Sequence, residues 1–221
     1  MGYIQNNLKY IKKNIPENIR LVAVSKYYSV EDIREAYDAG QRIFGESRMQ
    51  ELSVKQAQLP QDIDWHFIGH LQTNKVKSVL PYITTIHSVD SLRLLDEIDK
   101  QAGKIGRIID CFLEVYISQD ESKYGFTYDE CRQFFEKDQS KQYKWVRIIG
   151  LMGIASNTDD EGQIHHEFRN LRLFFENIKS NYGNTSFTEL SMGMSHDYKI
   201  AIEEKTTIIR VGSYIFNKHD N

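Results

Sequence analysis

Eight short runs rich in valine and isoleucine alternate along this chain with longer segments of helical periodicity. The runs predict strands at 21–25, 42–44, 64–68, 83–86, 108–117, 145–151, 187–190 and 207–211. Strands that alternate with helices are typical of βαβ units and a parallel sheet. Eight such units can close into a barrel whose outer helices cover strands that are apolar on both faces. We therefore predict an α/β fold, a TIM (β/α)8 barrel, with a doubly wound open sheet as the competing fold.

The length and composition of the chain favour one domain. Its 221 residues fall in the range of ~200–250 residues in which barrels fold as one unit. Apolar residues make up 40% and charged residues 27%, which excludes low-complexity and disordered chains. No linker rich in Gly or Ser divides residues 1–221, so we predict a single barrel domain. Residues 1–14 are amphipathic and predict an extra N-terminal helix.

Two segments carry clear helix signals. Ser29 followed by Asp32 forms a capping-box pattern, and Gly40 stands where a left-handed residue ends a helix. A second helix is predicted further along the chain, where apolar residues recur at steps of three and four. Its apolar face consists of Ile164, Phe168, Leu171, Phe175 and Ile178.

Charge and cysteine content narrow the class of partner. Lys plus Arg number 28 against 31 Asp plus Glu, a net charge of −3, so no sequence-wide positive field attracts nucleic acid or anionic lipid. Cys111 and Cys131 have no CxxC or CxxH spacing, as expected of reduced thiols in the cytoplasm. No apolar run approaches the ~18 residues of a membrane span. We expect a cytoplasmic protein without a nucleic-acid or membrane partner.

The histidines do not predict a metal site. His66 and His70 are four residues apart, as zinc ligands on a helix are, but their segment predicts a strand that runs into a loop. No third ligand accompanies them. His165 and His166 lie in the long predicted helix and are interpreted as a solvated or packing pair.

Lys26 follows the first predicted strand, in the segment AVSKYY. In barrels and open α/β sheets, ligands bind at the carboxyl ends of the strands. A lysine at this position would point into the mouth of the barrel, where partial removal from water favours the neutral amine that forms Schiff bases. A solvated lysine at a strand end is the alternative interpretation.

Two small-residue turns follow the last two predicted strands. The loops after strands seven and eight are the usual phosphate site of these barrels, since free N–H groups and hydroxyls converge there. Gly193 and Gly212 would allow close backbone approach, and Ser191 and Ser213 would supply hydroxyls. Ser195 is interpreted as the N-cap of the next helix.

An amine, a phosphate site and the guanidinium of Arg210 would therefore surround one mouth of the barrel. This combination suits pyridoxal phosphate (PLP), which carries an aldehyde, a phosphate and a ring nitrogen. A barrel that binds a sugar phosphate or a nucleotide is what the fold alone would permit.

Six long blocks stand in co-linear order and cover nearly the whole chain. They are AVSKYYSVEDIREAYDAGQRIFGESRMQE, WHFIGHLQTNK, IHSVDSLRLLDEI, ISQDESKYGF, GLMGIAS and LSMGMSHDYKIAIEEKTTIIRVGSYIF. Together they resemble the pyridoxal phosphate homeostasis protein family, also called the proline synthase co-transcribed homologues. The resemblance implies a single-domain barrel of the fold of the alanine racemase N-terminal domain, fold type III, that binds PLP without an established catalytic turnover.

The resemblance also implies roles for individual residues. Lys26 would hold PLP as an internal aldimine, and Arg210 would face the pyridine nitrogen. The phosphate would be held by Ser191, Gly212 and Ser213, with the backbone around Met192 and Gly193 close by.

The chain departs from the usual family pattern at four positions. Ser47 and Tyr116 stand where the family usually has Asn, in its blocks FGENYVQE and VNIS. Ser213 replaces a Thr and keeps the hydroxyl, and Asn217 replaces the Gly of IFG. The departure at Ser47 concerns contacts with the edge of the cofactor.

Carrier and racemase activities are the two main functional hypotheses. Arginine does not usefully donate a proton, so Arg210 would leave the ring nitrogen unprotonated, which permits racemization but disfavours transamination. Racemization also needs a second acid/base on the opposite face of the cofactor, which in alanine racemase comes from another domain of a partner subunit. We therefore expect a monomeric PLP carrier, with PLP-dependent apo-enzymes as candidate partners and an amino-acid racemase as the alternative.

Overall fold

The computed structural model describes residues 2–119, 124–182 and 185–219. Part of the sequence block ISQDESKYGF lies outside the described residues. Eight parallel strands form a closed barrel in chain order. The strands are Arg20–Val24 (β1), Ile43–Glu46 (β2), Asp64–Phe67 (β3), Thr85–Val89 (β4), Ile109–Glu114 (β5), Val146–Met152 (β6), Glu189–Ser191 (β7) and Ile208–Val211 (β8).

The barrel closes between the first and last strands. Leu21 of β1 lies opposite Ile209 of β8, and Ala23 lies opposite Val211. Every strand is therefore paired on both sides, which removes the open edges that a doubly wound sheet would have. The barrel prediction is confirmed, and the open sheet is wrong.

Helices connect the strands and cover the outside. They are Tyr3–Asn14 (α1), Val30–Asp38 (α2), Met49–Gln58 (α3), Val76–Val79 (α4), Leu92–Ile105 (α5), Tyr128–Glu136 (α6), Glu161–Asn181 (α7), Tyr198–Glu203 (α8) and Ser213–Phe216 (α9). Within the described part of the chain, no helix is long and apolar enough to cross a membrane.

The predicted helix signals are confirmed. The amide of Asp32 donates to Ser29 Oγ and the amide of Ser29 donates to Asp32 Oδ2, each over 3.1 Å. Gly40 follows α2 with a φ of +88°. The predicted apolar face of α7 is buried along its whole length.

Helix α1 is the predicted extra helix, and it supports the last turn of the barrel. Its buried face consists of Ile4, Leu8 and Ile11. The side-chain amide of Asn7 donates to the carbonyl oxygens of Ile215 and Asn217, each over 3.0 Å. Residues at the two ends of the chain therefore meet directly beside α9.

The inside of the barrel is partly polar. A small apolar cluster fills one part of it and consists of Val22, Phe112, Ile149, Met152 and Ile208. Beside this cluster lie buried strand residues with polar side chains, among them His66, His87, Ser191 and Arg210. A much larger apolar layer lies between the strands and the helices. This layer is the hydrophobic core of the protein, even though polar side chains lie inside the barrel.

Candidate functional site

A cavity of about 560 Å³ opens at the carboxyl ends of the strands. This volume lies within the ~300–1,000 Å³ typical of small-molecule sites. Polar residues that lie within or after different strands surround it. They include Lys26, Ser47, His70, Ser88, Glu114, Ser195, His196, Arg210 and Ser213.

Lys26 is half-buried in the wall of this cavity, and its backbone neighbours are held firmly. The amide of Ser25 donates to the Gly45 carbonyl over 3.0 Å, and the amide of Tyr27 donates to Glu51 Oε2 over 2.9 Å. Tyr27 has a φ of +71°, a conformation that costs free energy in a residue other than glycine. Within the described residues, the Lys26 amine itself has no hydrogen-bond or ion-pair partner.

A second lysine supports the strand end from which Lys26 projects. Lys55 Nζ donates to the Ser25 carbonyl over 2.8 Å, to Glu46 Oε1 over 2.8 Å and to Glu51 Oε2 over 3.0 Å. Burial raises the pKa of Glu46, although the hydrogen bonds from Lys55 and Ser25 oppose that rise. Sequence analysis missed this network; the spacing of Glu51 and Lys55 by four on one helix was the available signal.

Arg210 lies on β8 at the inner end of the cavity and is buried. Its Nη1 donates to Ser191 Oγ over 2.5 Å and its Nη2 donates to the Gly153 carbonyl over 3.1 Å. Burial lowers the pKa of Arg210 to about 10, while the carboxylates of Asp197 and Glu114 raise it. The guanidinium therefore keeps its charge at neutral pH and presents it to the cavity.

The turns after β7 and β8 meet at one side of the cavity. The amide of Gly212 donates to Ser195 Oγ over 3.2 Å, so the two turns are joined. Within the described part of the chain, the backbone N–H groups of Ser195, His196 and Ser213 donate no hydrogen bond. Converging N–H groups of this kind, together with serine hydroxyls, favour an anion.

Ser195 does not cap helix α8, and this interpretation from the sequence is wrong. The helix begins at Tyr198, after Asp197. The amide of Met194 donates to Asp197 Oδ1 over 2.5 Å, so Asp197 closes the turn and leaves Ser195 at the cavity. Ser195 is thus a cavity residue that sequence analysis assigned to another role.

The predicted site residues fall into two groups. Lys26, Arg210, Gly212 and Ser213 line the cavity. The other three residues, Ser191, Met192 and Gly193, are buried behind its wall.

The three residues behind the wall have structural surroundings of their own. Ser191 Oγ bonds to Arg210 and to His87 Nδ1, the latter over 3.0 Å. Gly193 has a φ of +90°, and a Cβ atom there would lie 2.6 Å from Ala201 Cβ. This turn therefore needs a glycine to pack against α8.

His66 and His70 contact different neighbours. His66 faces the inside of the barrel, where its Nδ1 lies 2.8 Å from His87 Nε2. His70 lines the cavity, where its Nδ1 lies 3.0 Å from Asp90 Oδ2 and its ring stacks on Tyr124. The two imidazoles therefore do not share one site.

Comparison with known proteins places the chain in a family. Residues 1–219 match the family described as alanine racemase, N-terminal domain. The pyridoxal phosphate homeostasis protein of Aquifex aeolicus is 38% identical over 200 residues, which are 90% of this chain and 86% of that protein. Its counterpart from Synechocystis is 39% identical over 204 residues, 91% of this chain and 92% of that protein. The chain belongs to the pyridoxal phosphate homeostasis protein family.

Solved structures of similar proteins agree with this family assignment. PipY of Synechococcus elongatus, solved without PLP, has a TM-score of 0.92 and 38% identity, and the match covers 97% of this chain and 100% of PipY. The structure of PipY with PLP bound has a TM-score of 0.88 and 37% identity over the same shares of the two chains. An alanine racemase from Clostridium difficile has a TM-score of 0.78 at 15% identity, covering 99% of this chain and 56% of that enzyme, and it shares the fold alone.

The departures from the usual pattern of the pyridoxal phosphate homeostasis protein family have different surroundings. Ser47 lies in the cavity wall. The backbone amide of Tyr116 donates to the Phe126 carbonyl over 2.9 Å, and Tyr116 does not line the cavity. Asn217 Oδ1 accepts a hydrogen bond of 2.9 Å from the hydroxyl of Tyr28, a cavity residue. Ser213 also lines the cavity, so Ser47 and Ser213 are the two departures that can touch a ligand there directly.

Proposed function

We propose that this protein binds PLP and serves the homeostasis of that cofactor. The observation that carries the proposal is the cavity itself. A lysine amine and backbone N–H groups that have no partner among the described residues face one space there, together with a buried guanidinium. PLP offers one complementary group to each of these: an aldehyde, a phosphate and a ring nitrogen. The names of the curated relatives and the PLP-bound structure of PipY support the same ligand.

We assign the cavity residues to the parts of the cofactor. Lys26 would hold the aldehyde as a Schiff base, because its backbone is fixed and its amine has no partner in the described ranges of the chain. Ser195, Gly212 and Ser213 would hold the phosphate at the joined turns. Arg210 would face the ring nitrogen.

Three further residues of the predicted set would support the site from behind the cavity wall. Ser191, Met192 and Gly193 are buried there. The amide of Met192 donates to the Ile208 carbonyl over 3.1 Å, and the amide of Arg210 donates to the Gly193 carbonyl over 2.9 Å. These bonds join β7 to β8 directly under the cavity.

The charge on Arg210 disfavours those PLP reactions that need a protonated ring nitrogen, such as transamination. When bound in enzymes, PLP supplies an electron sink, and that sink is strongest when an acidic side chain keeps the ring nitrogen protonated. A guanidinium that stays charged at neutral pH donates a hydrogen bond without giving up its proton. We propose a monomeric carrier in the cytoplasm that supplies PLP-dependent apo-enzymes; the buried, unpaired thiols Cys111 and Cys131 suit a reducing compartment.

Reduction with borohydride tests this proposal. Protein incubated with PLP should gain a visible absorption band that borohydride removes, and peptide mass spectrometry should then find the pyridoxyl group on Lys26. Lys26→Ala should gain no such group, whereas the control Lys9→Ala, on the exposed face of α1, should load as the unchanged protein does. If the unchanged protein does not bind PLP, the proposal is wrong.

The racemase hypothesis is tested on the same loaded protein. A panel of L-amino acids is incubated with it in deuterium oxide, and deuterium at Cα is measured. We expect stoichiometric PLP without turnover. Exchange over many turnovers would instead identify an enzyme.

A further inference from the structure

A chain of hydrogen-bonded side chains runs through the inside of the barrel to Arg210. His66 Nε2 lies 3.3 Å from Asp64 Oδ2, and His66 Nδ1 lies 2.8 Å from His87 Nε2. His87 Nδ1 lies 3.0 Å from Ser191 Oγ, which accepts from Arg210 Nη1 over 2.5 Å. His66, His87, Ser191 and Arg210 are all buried. The chain thus connects Asp64, the first residue of β3, with the guanidinium in the cavity.

The donor and acceptor of each hydrogen bond in this series can be assigned in one consistent direction, from Arg210 to Asp64. Hydrogen bonds from His66 and Thr84 outweigh the effect of burial and lower the pKa of Asp64, so its carboxylate accepts from His66 Nε2–H. His66 Nδ1 then accepts from His87 Nε2–H. His87 Nδ1 is left to accept from the Ser191 hydroxyl, whose oxygen accepts from Arg210. Each group donates to its neighbour on the side of Asp64, so every hydrogen bond in the series pairs one donor with one acceptor.

His87 is held in this role by its surroundings. Its ring stacks on Phe112 with centroids 4.4 Å apart. Burial, above all, holds the pKa of His87 well below its usual range, so the ring is neutral and has one nitrogen free to accept. Without that acceptor, the Ser191 hydroxyl would lose its fixed orientation.

We infer that His87 is a positioning residue for Arg210, and that Ser191 acts through Arg210 rather than on the phosphate of the ligand. The inference rests on the proposed function, since it concerns the ring-nitrogen side of the proposed PLP site. Within the described residues, the other side-chain hydrogen bond from Arg210, to the Gly153 carbonyl, involves Nη2 alone. Nη1 therefore depends on Ser191, and Ser191 depends on His87.

Two substitutions of His87 form a matched pair. His87→Phe keeps a ring against Phe112 and removes both nitrogens, whereas His87→Gln keeps an acceptor and a donor. The dissociation constants of PLP and pyridoxal are measured by absorbance titration, and that of inorganic phosphate by competition. We expect His87→Phe to weaken PLP and pyridoxal by the same factor, about tenfold, with phosphate unchanged. His87→Gln should recover most of the loss.

The visible band provides a readout that packing alone would not change. Arg210 would face the ring to which this band belongs, so the pH at which the band of loaded protein titrates should shift in His87→Phe and return in His87→Gln. Equal titration in both variants and the unchanged protein would overturn the inference. Failure of the unchanged protein to bind PLP would instead contradict the proposed function.

Ser191→Ala tests the second half of the inference and removes only one hydroxyl, so it serves even if His87→Phe does not fold. If Ser191 positions Arg210, the variant weakens PLP and pyridoxal equally. If Ser191 holds the phosphate, it weakens PLP and leaves pyridoxal unchanged. The second result would overturn the assignment of Ser191.

Discussion

The two ends of the barrel use charge in opposite ways. At the amino ends of the strands, Arg147 donates to both oxygens of Asp110, over 2.5 and 2.8 Å, and Arg20 pairs with Glu189 at 2.8 Å. At the carboxyl ends, the amine of Lys26 has no partner within the described residues. One end satisfies its charges within the protein, and the other end keeps donors for a ligand.

The same contrast exists between two lysines at one strand end. The Lys55 amine donates three hydrogen bonds to protein oxygens, and one of these is the carbonyl oxygen of Ser25. Lys26 directly follows Ser25, and its amine donates no hydrogen bond within the described part of the chain. The proposed Schiff base on Lys26 therefore depends on its lack of a partner within the described residues, because an amine that is already paired, as in Lys55, is not available to attack an aldehyde.

The largest effect is expected from the paired lysine. Lys55→Met should reduce the free energy of unfolding by about 3–5 kcal/mol, because it leaves the buried carboxylate of Glu46 without its cation. Lys26→Met should leave the stability nearly unchanged and abolish loading with PLP. Urea denaturation of both variants measures the difference.

The double variant Lys55→Met with Glu46→Gln tests whether the buried charge of Glu46 causes the loss of stability. The double variant should recover part of the lost stability, because the amide carries no charge to be buried. If Lys55→Met is as stable as the unchanged protein, the contrast between the two lysines is wrong.

A glycine from each end gives the next comparison. Gly193 and Gly40 have nearly equal φ values, +90° and +88°, but a Cβ would clash with α8 at Gly193 and meets nothing within 4 Å at Gly40. Gly40→Ala should therefore cost only the strain of the left-handed conformation, about 1 kcal/mol. Gly193→Ala adds a steric clash and should cost about 2–4 kcal/mol. Equal losses in thermal unfolding would show that packing behind the cavity does not constrain this turn.

His87 predicts how stability depends on pH. Its pKa in the folded protein lies well below the ordinary value of 6.5, so below pH 6.5 the unfolded chain takes up a proton that the folded protein does not. Stability contributed by neutral His87 is complete above this pH and is lost on acidification. The loss from this one group approaches about 1.4 kcal/mol per pH unit.

Urea denaturation from pH 8 to pH 5 should show this slope in the unchanged protein and a shallower one in His87→Gln. The difference isolates His87 from the other groups that titrate in the same range. Parallel curves would mean that His87 takes up its proton over the same pH range in the folded and in the unfolded protein.

The smallest effect is expected at the amino ends of the strands. The side chains of Arg147 and Asp110 are 53% and 24% exposed, and pairs in contact with water contribute less than about 1 kcal/mol. Arg147→Ala should therefore cost little stability and leave PLP affinity unchanged. A marked loss of affinity, measured by absorbance titration, would break the division between the two ends.

The barrel could be predicted from the sequence because eight apolar runs alternate with segments long enough for a helix, which is the pattern of a parallel barrel. Lys26 and Arg210 could also be placed, since each stands at or near a strand end. The orientation of Ser191 could not, because side chains alternate between two faces and the parity of a strand as short as β7 depends on its register with β6 and β8. Contacts such as Lys55 with Glu46 depend on how a helix packs on two strands.

Ser195 shows a different reason for an error. A serine shortly before a helical segment is an ordinary helix start, and that local pattern favoured a cap. The structure gives the capping position to Asp197, whose carboxylate accepts from the Met194 amide. Ser195 and Asp197 were both suitable for the position before the helix, and the sequence alone does not show which of them occupies it.

The contact between α1 and α9 ties ligand binding to the completion of folding. Asn7 and Ile215 are 208 positions apart, and the seam between β1 and β8 likewise joins distant parts of the chain. Such nonlocal contacts carry a high cost in loop-closure entropy. Lys26 and Ser213 lie on the two sides of that seam, so a chain that has not docked its last strand has no binding site. At a free concentration of a hundred times its Kd, a bound ligand would raise the free energy of unfolding of the closed barrel by about 2.7 kcal/mol. Ligand occupancy would therefore report that the first and last strands have paired.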